Sequence, residues 1–135
     1  MNRCRYDFTL NYNNKNFIIE FDGCQHFKYT PYWHKTEDVF LYFQEIDKLK
    51  NNIGIISNYN VIRIYTSDED KIVRMLDYFL NLDIEQIFIG IENLDKYSFI
   101  FKGFDRNLLD FNCINIDEIN CKLNNLKYQT IQYLD

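Results

Sequence analysis

The alternation of apolar and polar positions changes period several times along the chain, and each change predicts an element. Residues 5–12 alternate, Asn13, Asn14 and Lys15 are polar, and residues 16–22 (NFIIEFD) alternate again. Two strands joined by a tight turn, a β-hairpin, are expected there. In the second strand Phe17, Ile19 and Phe21 share one face, while Ile18, Glu20 and Asp22 share the other, because strand side chains alternate. Gly23 ends the strand, and residues 24–35, around Pro31, Trp33 and His34, read as an irregular loop. From Thr36 the period becomes helical. Val39, Tyr42, Ile46, Leu49, Ile53 and Ile56 fall on one stripe, with Thr36 as N-cap. Residues 60–66 (NVIRIYT) are β-branched, so strand, helix and strand in succession predict an α/β crossover. Ser67 with Asp70 marks a second helix carrying Ile72, Val73, Leu76, Phe79 and Leu80. Residues 86–91 and 96–101 predict further strands, the latter by alternation of Tyr97, Phe99 and Phe101. Asn115 with Glu118 resembles a capping box before a last helix through Leu123 and Leu126. The expected order is β-β-α-β-α-β-β-α.

With 135 residues, 47% hydrophobic and 26% charged, the chain reads as one globular domain spanning residues 1–135. A chain of this mass buries about two-thirds of its surface. No apolar run approaches the roughly 20 residues of a membrane span. The start, MNRCRYDF, has no signal-peptide core, so a cytoplasmic or nuclear home is expected rather than secretion. Cys4, Cys24, Cys113 and Cys121 form no CxxC pair, and neither His26 nor His34 sits at zinc-finger spacing from them. They read as packed, reduced thiols. The net charge of −5 argues at first against a nucleic-acid binder. Its distribution alters that. Through Arg63 there are eight Lys/Arg against seven Asp/Glu, whereas the remainder has seven against thirteen. The acidity belongs mostly to the second half and reads as a solvated surface. Abundant Asn, Ile, Tyr, Phe and Lys match an AT-rich genome, and no repeat or flexible linker interrupts the chain.

The chemistry is concentrated before residue 64. Asp7 lies in the first strand, Glu20 and Asp22 share a face of the second, and Gln25 and His26 follow the break at Gly23. Three carboxylates, an imidazole and an amide therefore converge on one strand end. Such an oxygen-rich set suits Mg²⁺ or Mn²⁺, which prefer hard ligands and keep waters for a substrate phosphate. On the long helix, Phe40, Phe43, Asp47, Lys50 and Gly54 form a row beside the main stripe, so Asp47 and Lys50 are neighbours. Spacing alone favours an exposed ion pair for those two and an exposed strand position for Asp7. His26 reads equally as a loop hydrogen-bonder, Tyr32 and Trp33 as packing, and Arg63 as a rim residue or the partner of an acid.

Taken together, RYDF (5–8), IIEFDGCQHF (18–27), EIDKLKNN (45–52) and NVIRI (60–64) resemble the PD-(D/E)XK, or restriction-endonuclease-like, nuclease superfamily. The branch they resemble contains the very-short-patch mismatch-repair endonucleases, related homing nucleases and phage and giant-virus proteins. The likeness covers about half the chain; beyond about Asp68 nothing matches, and the treble-clef zinc elements of some relatives are absent. The resemblance implies an α/β fold with a mixed β-sheet flanked by helices, with residues 1–68 carrying the catalytic motifs; residues 69–135, which match nothing, are expected to continue the same domain as an α+β extension. It implies that Asp7, Glu20 and Asp22 hold Mg²⁺ or Mn²⁺, and that His26 moves a proton. Lys50 stands for the family's lysine, displaced onto the helix, with Gln25 and Asp47 in support. The implied activity is metal-dependent endonuclease cleavage of DNA, with RNA as the alternative substrate, leaving 5′-phosphate and 3′-hydroxyl ends. Phosphate contacts are expected from Arg3, Arg5, Lys28, Lys35, Lys48 and Arg63, few enough to make binding weak and salt-sensitive. A virus-encoded origin fits the resemblance. The rival reading is a catalytically silent nuclease fold that binds a partner or a second copy of itself, and residues 97–101 are expected either to complete the core or to form such a homodimer interface.

Overall fold

The computed structural model describes residues 5–105 and 115–134; Arg3, Cys4 and Cys113 lie outside them. The predicted hairpin is formed by β1 (Phe8–Tyr12) and β2 (Lys15–Phe21), paired antiparallel with Phe8 opposite Ile19 and Tyr12 opposite Lys15. Asn13 and Asn14 have φ of 52° and 62°. A type I′ hairpin loop needs left-handed residues at both positions, and asparagine enters that region more readily than most L-residues. α1 (Glu37–Ile56) returns the chain to β3 (Asn60–Ile64), which runs parallel to β2. Its N-cap is Thr36, whose side chain accepts the Val39 N–H. At the other end Asn58 takes φ 69°, the Tyr59 N–H reaches the Gly54 carbonyl, and the Asn58 N–H reaches Ile55. Those two bonds are a Schellman termination, and they turn the chain straight into β3.

α2 (Glu69–Leu80) joins β3 to β4 (Ile87–Ile91), and α3 (Ile116–Asn124) precedes β5 (Tyr128–Gln132). The described residues form an α/β fold with a five-stranded mixed sheet in the order β1-β2-β3-β4-β5, in which, among them, only β1 runs antiparallel to its neighbour. One sheet face carries Phe17, Ile19, Ile62, Ile64 and Phe88 and is sealed by Met75 and Phe79 of α2. The other carries Ile18, Val61, Ile89 and Ile91 beneath Ile55 of α1, with Tyr97 and Ile100 beside it. Each fully buried apolar side chain contributes about 1.5–3 kcal/mol. α3 lies outside α1, where Ile119 meets Leu49 and Ile53.

The faces of α1 correct the expectation from periodicity. The apolar stripe packs toward α3, whereas the row Asp47, Lys50 and Gly54 turns toward the sheet. A Cβ on Gly54 would stand 2.9 Å from Ile18 Cδ1 and 3.0 Å from Val61 Cγ2, so this glycine lets the helix settle close on the strands. Residues 96–101 also differ from expectation. They form a 3-10 helix at Ser98–Phe101 instead of a strand, burying Tyr97 and Ile100 in the core while Phe101 is exposed. The fifth strand comes instead from Tyr128–Gln132, whose polar YQTIQ pattern carries little strand signal because it lies at the sheet edge. The N-cap of α2 is Asp68, which accepts the Asp70 and Lys71 N–H groups, and not Ser67. No helix among the described residues is long and apolar enough to cross a membrane.

Candidate active site

Two linked clusters of charge lie where the carboxyl end of β2 meets α1. Asp7, just before β1, accepts the Phe21 N–H at 2.8 Å through Oδ2, and its own N–H donates to Glu20 Oε2 at 3.3 Å. The open end of the hairpin is thereby closed by two acids. Lys50 Nζ donates to Glu20 Oε1 at 3.2 Å, and the Tyr6 hydroxyl donates to the Lys50 carbonyl at 3.0 Å, tying α1 to the start of the hairpin. Glu20 is only 3% exposed. Burial pushes its carboxyl up to about 7; the charges of Arg63 and Lys50 oppose the shift, and Asp7 adds to it by hydrogen bond and charge.

The second cluster is built around Arg63, which pairs with Glu20 in the β2–β3 register and therefore projects from the same face. Its Nη1 donates to both Asp22 oxygens at 2.9 and 3.1 Å, Nε to Asn51 Oδ1 at 2.6 Å and Nη2 to the Asp47 carbonyl at 3.2 Å. The Tyr97 hydroxyl completes Asp22 by donating to Oδ2 at 2.8 Å. His26, on a 3-10 helix at Cys24–His26, places Nδ1 2.7 Å from Asp47 Oδ2 and 3.7 Å from Asp22 Oδ1. Burial of the imidazole works against its charge, but the hydrogen bond and charge of Asp47, with Asp22 behind, outweigh it and raise the His26 pKa. With Nδ1–H donated to Asp47, Nε2 is the nitrogen left for chemistry.

The structure thus brings Asp7, Glu20, Asp22, His26, Asp47 and Lys50 to one end of the sheet. Asp47 and Lys50 do not pair with each other: Asp47 serves His26 and Lys50 serves Glu20. Gln25 folds its amide back over Gly23. Arg5, Lys28 and Lys35 are exposed. Lys48 is buried, ion-paired with Glu45 and bonded to the Gly103 carbonyl at 3.3 Å. Arg63 is 1% exposed, and burial, which disfavours its charge, is overridden by Asp22 and Asp47. Neither Lys48 nor Arg63 has surface to give a phosphate. Tyr32 and Trp33 are not core packing either: they stand 84% and 57% exposed, edge to face at 5.0 Å. Their loop is anchored by buried His34, whose Nδ1 accepts the Thr30 N–H at 3.0 Å.

The donor geometry separates the expected metal ligands. Asp7 and Glu20 are two abutting carboxylates, one of them buried, an arrangement that a divalent cation relieves and that matches the one or two carboxylates Mg²⁺ commonly takes from protein. Asp22 fits less well, since the buried Arg63 guanidinium and the Tyr97 hydroxyl hold its oxygens at 2.8–3.1 Å, whereas the contacts on the Glu20 oxygens are longer, at 3.2 and 3.3 Å. Asp22, His26 and Asp47 each offer a ligand atom within 4.8 Å of the others, yet a cation there would face the Arg63 guanidinium, 3.8 Å from Asp47 Oδ1. Two members of the site escape sequence reasoning. Asn51 lies within EIDKLKNN but is assigned no role there, and Tyr97 arrives from a distant segment whose alternation imitates a strand. The chain matches no protein-family model, no curated protein and no solved structure.

Proposed function

We propose that this protein is a Mg²⁺- or Mn²⁺-dependent endonuclease of restriction-endonuclease-like architecture, hydrolysing phosphodiester bonds in DNA. The observation that carries the proposal is the position of Glu20. It abuts Asp7, binds Lys50 and lies beside Arg63, so a carboxylate pair, a lysine and an acid-oriented histidine meet at one strand end. A divalent cation bound by Asp7 and Glu20 supplies neutralising charge and a more acidic water. Lys50 holds Glu20 in place and adds positive charge where the phosphoryl oxygens gain negative charge. A water oxygen forms the new bond to phosphorus, releasing its proton to solvent, as the bond to the 3′ oxygen breaks. His26, oriented through Nδ1 by Asp47 and favoured in its protonated form, gives a proton from Nε2 to the departing 3′ oxygen.

A second reading rests on Asp22. Its saturation by Arg63 and Tyr97 is the arrangement of a site neutralised from within, as in a nuclease fold retained for binding alone. A cleavage panel separates the two: Mg²⁺, Mn²⁺ or EDTA with supercoiled, single-stranded, branched and mismatched DNA and with RNA, using Glu20→Gln as the control. The nuclease reading expects metal-dependent cleavage of a DNA substrate that disappears in the variant. Silence from folded protein across the panel supports the binding module, and preferential cleavage of RNA reassigns the substrate.

A further inference from the structure

A cleft of about 420 Å³ opens beside the Cys24–His26 turn, lined by Cys24, Phe27, Lys28, Asp95 and Lys96. Its volume lies within the range of about 300–1,000 Å³ common to small-ligand sites. Lys96 Nζ stands 5.1 Å from the centroid of the Phe27 ring and 4.9 Å from that of Tyr65. Two aromatic faces thus hold this ammonium. Among the described residues, neither Lys96 nor Lys28 forms an ion pair. Two ammonium groups against the single Asp95 carboxylate make the cleft locally positive, although the chain carries −5. The cleft also adjoins the histidine site. Phe27 follows His26 directly and packs edge to face on Tyr97 at 5.0 Å, and the Tyr97 hydroxyl donates to Asp22.

We infer that this cleft binds the phosphodiester group next to the scissile one on a nucleic-acid strand, with Lys96 and Lys28 contacting the phosphate. Phe27 and Tyr65 are positioning residues that aim Lys96. The inference rests on the nuclease reading of the His26 site. A lysine already fixed between two rings loses less side-chain freedom on binding than a free one, so each contact is used efficiently. Lys96 is the residue that sequence reasoning did not select, since nothing local distinguishes it from a solvated lysine.

The test is binding of a fluorescent single-stranded DNA 12-mer in EDTA across a salt series, for the intact protein, Lys96→Gln and Lys28→Gln. Each variant is expected to bind about three- to ten-fold more weakly and to lower the slope of log affinity against log salt by up to about 0.7, the share of the one phosphate that the two lysines contact on a single strand. Metal-dependent hydrolysis of bis(p-nitrophenyl) phosphate, too small to reach the cleft, is expected to stay unchanged in Lys96→Gln. Wild-type slopes in both variants, with DNA still bound by the intact protein, overturn the subsite and leave the nuclease reading standing. Lowered slopes in a protein that hydrolyses no diester keep the phosphate site and remove the nuclease reading. Deoxyadenosine monophosphate is the second probe, expected to compete only at concentrations at least a hundred-fold above the strand. Competition at equal concentration makes the cleft a mononucleotide site and overturns the assignment to a strand.

Discussion

Nδ1 of His26 lies 2.7 Å from Oδ2 of Asp47, while the other oxygen of that carboxylate stands 3.8 Å from the Arg63 guanidinium. Asp47 therefore links a partly exposed histidine to a fully buried arginine, and the imidazole inherits its orientation from the core. Asp47→Asn keeps the shape and removes the charge. It should lower the His26 pKa, as read by NMR titration of the ring, and slow strand cleavage about 10- to 100-fold. His26→Gln should cost about 10²–10⁴-fold, the usual span for a proton-transfer group. Because the two act as a unit, the double variant should be no slower than His26→Gln alone. Losses that multiply in the double variant would argue against a dyad.

Glu20 sets a pH dependence. Its folded pKa, about 7, lies above the ordinary value of 4.5, so its contribution to stability is present below 4.5 and lost as pH rises through about 7. The interval is worth on the order of 3 kcal/mol. His26, also raised, contributes in the same direction, with stability present below its ordinary 6.5 and lost as pH rises through its folded value. Glu20→Gln should flatten the stability profile between pH 4.5 and 7 and leave the variant more stable than the parent at pH 8 without metal. A cation needs the ionised carboxylate, so Mg²⁺ should raise Tm at pH 8 and barely at pH 5. An equal Mg²⁺ effect at both pH values, or one that survives Glu20→Gln, would place the cation elsewhere.

Arg63→Met removes the counterion of two buried acids. Truncating one partner of a buried pair costs about 3–5 kcal/mol, because the remaining charge is stranded. Urea denaturation should show a loss of that size, partly recovered by adding Asp22→Asn. A loss below about 1 kcal/mol would mean that water reaches Asp22 in place of the guanidinium.

Gly54 sets how closely α1 sits on β2 and β3. Gly54→Ala should be nearly neutral, since the helix gain of about 1 kcal/mol offsets contact with the mobile end of Ile18 and the stiffer Val61. Gly54→Leu leaves no such room. It should destabilise by more than about 3 kcal/mol and weaken Mg²⁺ stabilisation at pH 8, because Lys50 and Asp47 ride on the same helix. Unchanged Mg²⁺ binding in a folded Gly54→Leu protein would show that the site does not depend on this approach.

The hairpin, the crossover and the shared face of Glu20 and Asp22 are legible because local alternation and turn chemistry determine them. Asp47 and Lys50 are placed by helical spacing, but that they point inward is not, because hydropathy reads charge as surface. The burial of Asp47 depends on Arg63, a non-local partner on β3, that of Lys50 on Glu20 of β2, and both on the absent side chain of Gly54. The same blindness assigns Lys48 and Arg63 to phosphate, although both are neutralised in the interior. Tyr97 is unreadable for a different reason. An aromatic alternation fits a strand locally, and only the tertiary fold shows that its hydroxyl reaches Asp22. β5 is missed because an edge strand has too little buried surface to impose a pattern.

If Asp7 and Glu20 hold a divalent cation, strand scission requires both the metal and the intact carboxylate pair. Single-turnover cleavage of supercoiled DNA, with Mg²⁺ or Mn²⁺ against EDTA, tests it most directly when the intact protein is compared with Glu20→Gln of matched folding. This metal role predicts scission only with metal and a loss of at least about 10²-fold in the variant, whose carboxylate pair is broken. Scission that persists in EDTA, or that proceeds in Glu20→Gln at the parental rate, would contradict it.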